Sequence, residues 1–409
     1  MAQDPRQLLC VEPRFPGRLG AVADWLVQHR GYRVRFFANA FDPPETWPAS
    51  VGQGIELVPF HVGGVAREPS VPWTRGLERG LCYAYGAWEV FDARRPRPID
   101  LVLGRSCGLG STLFAPVSYP RIPIVNLFDH YVHPRSHDLA DEDAPSLPEE
   151  YIHWRRAANA MDLLDLENGV VPWTLTRWQR DLYPPEYRAD FAVIPDGIDT
   201  HRFPRPALRP RSLAGRSLPE GTRVVTYVSR RPERLRGFDR FLKLLNRLMR
   251  ERSDVVGIVV GGGPVERMLD IPFYGQDYAA KALADDPPPD PSRLWMLGSV
   301  PPATVAEVLG AADLHIAASR PYPVARSTLE AMAAGAVVLA WDTPAIREFL
   351  TPGANGLLAT DDDAAETALR VLSDPAECRP LGEAAAALIR ERYDRGVCLP
   401  ELAALFDRL

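Results

Sequence analysis

A chain of 409 residues exceeds what one hydrophobic core ordinarily fills, so two domains are expected. Its apolar share of 46% and charged share of 24% suit a globular protein, and a formal charge of −6 gives no basis for a nucleic-acid partner. Met1 to Gln7 is polar and no apolar run approaches the ~20 residues that cross a bilayer, so a cytoplasmic protein is expected, with peripheral membrane contact left open.

In chain order, Leu8 to Val11 reads as a short buried strand. The turn Phe15-Pro-Gly-Arg-Leu-Gly20 follows, then an amphipathic helix from about Ala21 to Arg30, stopped by Gly31. Strands are expected at Arg33–Ala38, Ile55–Phe60, Leu101–Gly104 and Ile122–Phe128, with a helix over Gly76–Ala93 between them. Asp199–Leu218, rich in Pro and Arg, has the composition of a boundary. The grammar then restarts: strand Arg223–Ser229, helix Phe238–Glu251, strand Val255–Val260 and the turn Gly261-Gly-Gly263. Strands at Leu294–Leu297, Leu314–Ala318 and Val337–Trp341 alternate with helices after Thr304, Ser327 and Pro344. Alternation of this kind predicts an α/β chain with two Rossmann-like parallel-sheet domains facing across a cleft.

All but two of the 47 cations are arginine, Lys243 and Lys281 being the lysines, so a phosphate clamp must be built from guanidinium forks. The five cysteines are scattered, without a C-x-x-C pair, and fit reduced thiols rather than disulfides or zinc. Asp361-Asp-Asp363 has the look of a metal site, but its place before a helix favours an acidic N-cap; no metal is expected.

The most informative stretch runs from Ser319 to Gly335, where a strand passes through a proline-rich turn into a helix. That layout places backbone N–H groups and a helix N-terminus where a phosphate can sit. Within it, Glu330 has two readings. Its carboxylate can accept ribose hydroxyls, or Ser327-Thr-Leu-Glu330 can be a capping box that only satisfies helix N–H groups. Arg230, Arg231 and Arg236 lie between a strand and a helix, as a diphosphate grip or as a solvated basic turn. Gly261-Gly-Gly263 is no G-x-G-x-x-G fingerprint and supports no nicotinamide cofactor.

The donor-like loop Tyr322–Gly335 resembles that of the GT4 family of retaining, GT-B-fold glycosyltransferases. That family usually carries two glutamates in this loop; here the second is Glu330 and the first is replaced by Tyr322. Phe15–Gly20, Asn159–Glu167, Thr176–Gln179, Tyr183–Glu186, Ile194–Asp199, Tyr227–Gly237 and Glu391–Pro400 extend the likeness over nearly the whole chain. They are similar to a bacterial subgroup in which an aromatic residue fills the first Glu position.

The resemblance implies a first domain over 1–200, a nucleotide-sugar domain over 201–383, and a segment 384–409 that crosses back to the first domain. It implies that Arg236, with Arg230 or Arg231, grips the donor diphosphate. Gly17 and Arg18 would meet donor phosphate or the transferred sugar, and Gly262 and Gly298 would lie beside the base. Tyr322, Val324, Ala325, Ser327 and Glu330 would complete the donor site. His130, with Asp129 and His133 as neighbours, would face the transferred sugar. The implied reaction moves a sugar from a nucleoside diphosphate, without metal, to a small-molecule, glycan or peptide acceptor that the sequence does not name. Because Tyr322 replaces a carboxylate, a non-catalytic nucleotide-sugar-binding protein is the alternative. Trp73, Tyr83, Tyr85 and Trp88 are candidates for an apolar acceptor cleft or for core packing, and the Pro/Asp-rich 282–292 reads as an insertion of unassigned role.

Overall fold

A computed structural model describes residues 4–63, 74–93, 99–106, 109–134, 149–206, 210–263 and 277–409. Trp73 and Cys107 lie outside these. The chain divides into two compact units, one combining the chain up to Asp196 with Cys398–Leu409, the other formed by Gly197–Val397.

In the first unit, strands β1 (Gln7–Val11), β2 (Arg33–Ala38), β3 (Ile55–Pro59), β4 (Leu101–Arg105), β5 (Ile124–Leu127), β6 (Val171–Thr174) and β7 (Ala192–Val193) form one parallel sheet. Their order is β3-β2-β1-β4-β5-β6-β7, so the sense in which successive strands are added switches beside β1 while all strands stay parallel. Apolar runs such as Leu8-Leu-Cys-Val11 are buried throughout because helices cover both faces. Alternate residues go to opposite faces. Leu8 and Cys10 pack beside helix α1 (Leu19–Arg30) and the chain's last residues, Leu399, Leu402 and Phe406. Leu9 and Val11 join Tyr83, Ala87 and Phe91 of helix α2 (Arg75–Ala93) on the other. Tyr83 is therefore core; Tyr85 is half exposed and pairs with Trp88 at 5.5 Å.

The second unit repeats the plan. Strands β8 (Arg223–Val228), β9 (Val255–Val260), β10 (Leu294–Gly298), β11 (Leu314–Ala317), β12 (Val337–Trp341) and β13 (Leu357–Ala359) lie parallel in the order β10-β9-β8-β11-β12-β13. With helix α3 (Ala160–Glu167) belonging to the first unit, Tyr227, Val259 and Ile316 of the second pack with Phe238, Phe241 and Leu245 of helix α4 (Phe238–Glu251). Val224, Ile258 and Val338 meet α5 (Pro302–Gly310), α6 (Arg326–Ala333) and α7 (Pro375–Arg392) on the opposite face.

Three expectations change. The helix expected after Pro344 is a single 3-10 turn, Ile346–Glu348. There the Asn355 side chain donates to the Phe349 carbonyl at 2.9 Å and accepts the Thr351 N–H at 2.7 Å, so the local backbone bonds are met without a longer helix. The return to the first unit begins at Cys398 rather than 384. Ala385 and Ile389 are held in the second core, and Gly382 lies so near the Gly335 carbonyl that a Cβ would come within 2.3 Å of its oxygen. The Pro/Asp stretch includes the end of a short helix, Tyr278–Asp285, with Tyr278 and Ala282 in the core. The buried Asn246 of α4 donates to the Asp286 carbonyl at 3.0 Å.

Candidate functional site

The carboxyl ends of β8, β9, β10 and β11 bring together most of the residues singled out in the second half. After β8, the N–H of Arg231 donates to Ser229 Oγ at 3.1 Å. Gly261 opens the next turn at φ 121°, and a Cβ there would lie 1.8 Å from the Ser229 carbonyl oxygen, so only glycine allows the two turns to touch. Gly261 N–H donates to Gly298 at 2.8 Å, and Gly262 N–H to the Arg230 carbonyl at 3.3 Å. Arg230, Arg231, Gly262 and Gly298 are thus neighbours at one edge. Arg230 is exposed, and Arg231 lies beside Gly263.

The 3-10 turn Arg234–Arg236 leads into α4 through Gly237 in the left-handed conformation, φ 70°. A Cβ on Gly237 would lie 1.9 Å from the Ala318 carbonyl, so the turn presses directly on the end of β11. The loop after β11 is tied to this turn by Arg320, which is 2% exposed. Its backbone N–H donates to Leu235 at 3.0 Å, and its guanidinium donates to Arg234 at 2.6 Å and forks onto Asp239 at 2.9 and 2.8 Å. Burial pushes the Asp239 carboxyl up, but the Arg320 hydrogen bonds and charge outweigh it and hold the group below its ordinary range.

Arg236 completes the junction. Its Nη1 donates to Pro323 at 2.7 Å, its guanidinium carbon stands 5.0 Å from the Tyr322 ring centre, and Glu233 lies 4.0 Å from its Nε. Val324 packs toward the core under α6. Helix α6 begins at Arg326 with Ala325 as an extended N-cap. The capping-box reading therefore fails. Ser327 lies inside the helix and its hydroxyl donates to the Val228 carbonyl, fastening α6 to the end of β8. Glu330 faces Arg326 at 3.5 Å, and its side chain keeps 19% exposure. Arg326 also donates to the Gly197 carbonyl at 2.7 Å.

Asp363 stands at the N-cap position of its helix, yet its carboxylate turns back to the Thr360 N–H at 2.6 Å rather than capping the helix. Asp361 accepts from the Trp341 indole at 2.8 Å. Among the described residues no cluster of His, Cys, Asp and Glu has the form of a metal site.

In the first unit, Gly17 turns at φ 53°, and a Cβ would fall 2.2 Å from Glu12 Oε2. Glu12, 2% exposed, accepts the Leu19 N–H at 2.8 Å and so caps α1 from a distance. Its other oxygen receives Arg105 at 3.0 Å, and Arg105 also pairs with Asp129. Arg18 bridges to Asp196 at 2.9 Å. His130 stacks on Trp178, 6.2 Å between ring centres and 24° between planes. The neighbouring His133 is engaged structurally: its ring meets the Leu182 carbonyl at 2.7 Å, and its own carbonyl takes two bonds from buried Arg155. Sequence reasoning missed Glu12, Arg105, Arg320 and Asp239, because nothing in their spacing shows that a charged side chain is buried against a distant turn. Beside Gly17 the Glu12 carboxylate already accepts the Leu19 N–H.

Residues 30–203 match the family described as Glycosyl transferase family 4 group, and residues 222–374 match Glycosyl transferases group 1. Sucrose-phosphate synthase from Thermosynechococcus elongatus superposes with a TM-score of 0.72 at 16% identity, covering 98% of each chain. The fold is that of the GT-B glycosyltransferases. HepE of Anabaena, solved in complex with UDP-glucose, gives a TM-score of 0.67 at 17% identity over 98% of this chain and 100% of that one. In sequence, the chain is 29% identical over 238 residues to phosphatidyl-myo-inositol mannosyltransferase of Mycolicibacterium smegmatis, covering 56% of this chain and 54% of that protein. It is 26% identical over 249 residues to D-inositol 3-phosphate glycosyltransferase of Nocardia farcinica, covering 61% of this chain and 52% of that one. The chain spans about half the length of these curated relatives. No helix among the described residues is long and apolar enough to cross a membrane.

Proposed function

We propose that the protein is a retaining glycosyltransferase that takes a sugar from a nucleoside-diphosphate donor, without a metal ion, and delivers it to an acceptor still to be identified. The observation that carries this reading is the junction of Arg236, Tyr322 and the start of α6 at the carboxyl edge of the second sheet, where open α/β sheets bind ligands. The GT-B fold and the two glycosyltransferase families support the reaction class, and the UDP-glucose complex of HepE supports a nucleotide-sugar donor.

In this reading Glu330 accepts the ribose hydroxyls, and Gly262 and Gly298 leave room beside the base. Arg236 with Arg230, and the N–H groups at the start of α6, meet the charge that develops on the leaving diphosphate. Guanidinium groups supply the positive charge a cation would otherwise bring. Retention follows if the acceptor attacks the face the diphosphate leaves, with the leaving phosphate taking the acceptor proton.

A thermal-shift screen of UDP-, GDP-, ADP- and TDP-sugars identifies the donor base, since a ligand bound only by the folded state raises its apparent stability. Release of nucleoside diphosphate from that donor, persisting in EDTA and falling on the order of 100-fold or more in Arg236→Ala, is the expected result. Tight donor binding without turnover across acceptors supports the non-catalytic alternative instead.

A further inference from the structure

The loop after β11 and the turn before α4 are fastened to each other at two places. At one, Arg320 is clamped by Leu235, Arg234 and Asp239 deep in the junction. At the other, nearer the surface, Arg236 reaches the opposite way, donating to Pro323 with its guanidinium 5.0 Å from the centre of the Tyr322 ring. Side-chain exposure differs accordingly: 2% for Arg320 and 18% for Arg236. The deep arginine has both its charge and its fork consumed by Asp239. The shallower one donates to a carbonyl, faces a ring and stands 4.0 Å from a Glu233 carboxylate oxygen.

That difference matters for an anion. An aromatic face attracts a guanidinium through its quadrupole but carries no net charge, so it orients the cation without cancelling it. A carboxylate at the same place would compete with an incoming phosphate. We propose that Tyr322 is a positioning residue: its ring holds Arg236 in the orientation that receives the diphosphate, and its contact is with the arginine rather than with the transferred sugar. This rests on the reading that Arg236 grips the diphosphate. The ring face and not the hydroxyl is what acts, so Tyr322→Phe retains the function.

The test is calorimetric binding of UDP, GDP, ADP and TDP, and of the matching nucleosides, to wild type, Tyr322→Phe, Tyr322→Leu, Arg236→Ala and the Leu/Ala double variant. Tyr322→Gln serves as a second ring-less variant should Tyr322→Leu fail to fold. For the diphosphate that binds wild type, loss of the ring weakens binding on the order of 5- to 30-fold, the range of a partly desolvated cation–π contact. Phe stays within about threefold. Nucleoside affinity does not move, and the effect of losing the ring disappears when Arg236 is already alanine. An equal loss in the Arg236→Ala background overturns the inference, as does unchanged diphosphate binding with an altered preference among donor sugars. If Arg236→Ala itself binds diphosphate like wild type, the underlying assignment of Arg236 fails first and this inference falls with it.

Discussion

Replacing Asp165 by Asn is expected to stabilise the protein at alkaline pH while changing little at acid pH. Helix α3 (Ala160–Glu167) points Asp162 and Asp165, one turn apart, into the first unit, where both are buried. Ser106 Oγ lies 3.0 Å from Asp162 Oδ1 and 2.5 Å from Asp165 Oδ2. One hydroxyl proton cannot serve both carboxyls, so one of them must donate to the hydroxyl oxygen. Tyr183 donates to Asp162 at 3.1 Å, while at Asp165 burial outweighs the hydrogen bonds from Ser106 and Asn126, which leaves the proton on Asp165. Burial, the largest influence, pushes the Asp165 carboxyl from its ordinary 3.8 up to about 7.

Because the folded value is raised, the folded state keeps its proton while the unfolded chain has lost it. Stability from this group is fully present below about pH 4 and is lost as pH rises to about 7. At 1.36 kcal/mol for each tenfold, the loss is about 4 kcal/mol if the surroundings stay rigid, and ~2–4 kcal/mol with relaxation. Asn cannot ionise, and its NH₂ can donate to Ser106 as the carboxylic proton does. The assay is urea unfolding of both proteins at pH 4.5 and pH 8. The difference between variant and wild type is the readout, because buried His315, depressed to about 3 by burial, acts in the opposite direction in both. The variant should gain on the order of 1 M in midpoint relative to wild type between the two pH values. A difference that does not move with pH, or moves against the variant, refutes the proton assignment.

Gly237→Ala should lower the melting temperature strongly, since a side chain there adopts φ 70° and meets the Ala318 carbonyl, at a cost well beyond the ~1–2 kcal/mol of left-handed backbone alone. Stabilisation by nucleotide-sugar should vanish with it, read in the same thermal scan. Arg320→Met should cost about 1–3 kcal/mol in urea unfolding by leaving a partly exposed Asp239 and the Arg234 carbonyl without its guanidinium, and the double change with Asp239→Leu should recover part of that. A double variant no better than the single one would show that Arg320 acts through its backbone contacts. Gly17→Ala should destabilise the first unit and be partly relieved by Glu12→Ala, which removes the atom the new Cβ would strike; hydrogen exchange across α1 reports it.

Local chemistry made much of this chain legible. Continuous apolar runs, period 3.6 segments between them and glycines at the turns identify strands, helices and their alternation, because those signals act over a few residues. The donor-like loop after β11 stood out for the same reason: a strand, a proline-rich turn and a helix start are adjacent in sequence. Position 322 was visible as a departure, but its partner was not. Tyr322 and Arg236 are separated by most of a domain along the chain, and the packing of Gly237 against Ala318, together with the Arg320 clamp on Arg234, Leu235 and Asp239, brings their loops together.

The tertiary structure also decided what each charge meets. Arg230, Arg234, Arg236 and Arg320 are alike as letters, yet Arg320 is consumed by Asp239, Arg234 is buried, Arg236 rests on a ring, and Arg230 stands exposed. Ser327 and Glu330 fit a capping box by spacing, but the helix starts one residue before Ser327 and its hydroxyl is drawn to the end of β8. Glu12 and Asp165 went unnoticed because burial changes the meaning of a carboxylate, and burial is set by residues far away in the chain. Sequence by itself determined the two-unit α/β plan and the strand–turn–helix loop after β11; the long-range packing of turn against turn determined which side chains meet there, because those contacts join residues far apart in the chain.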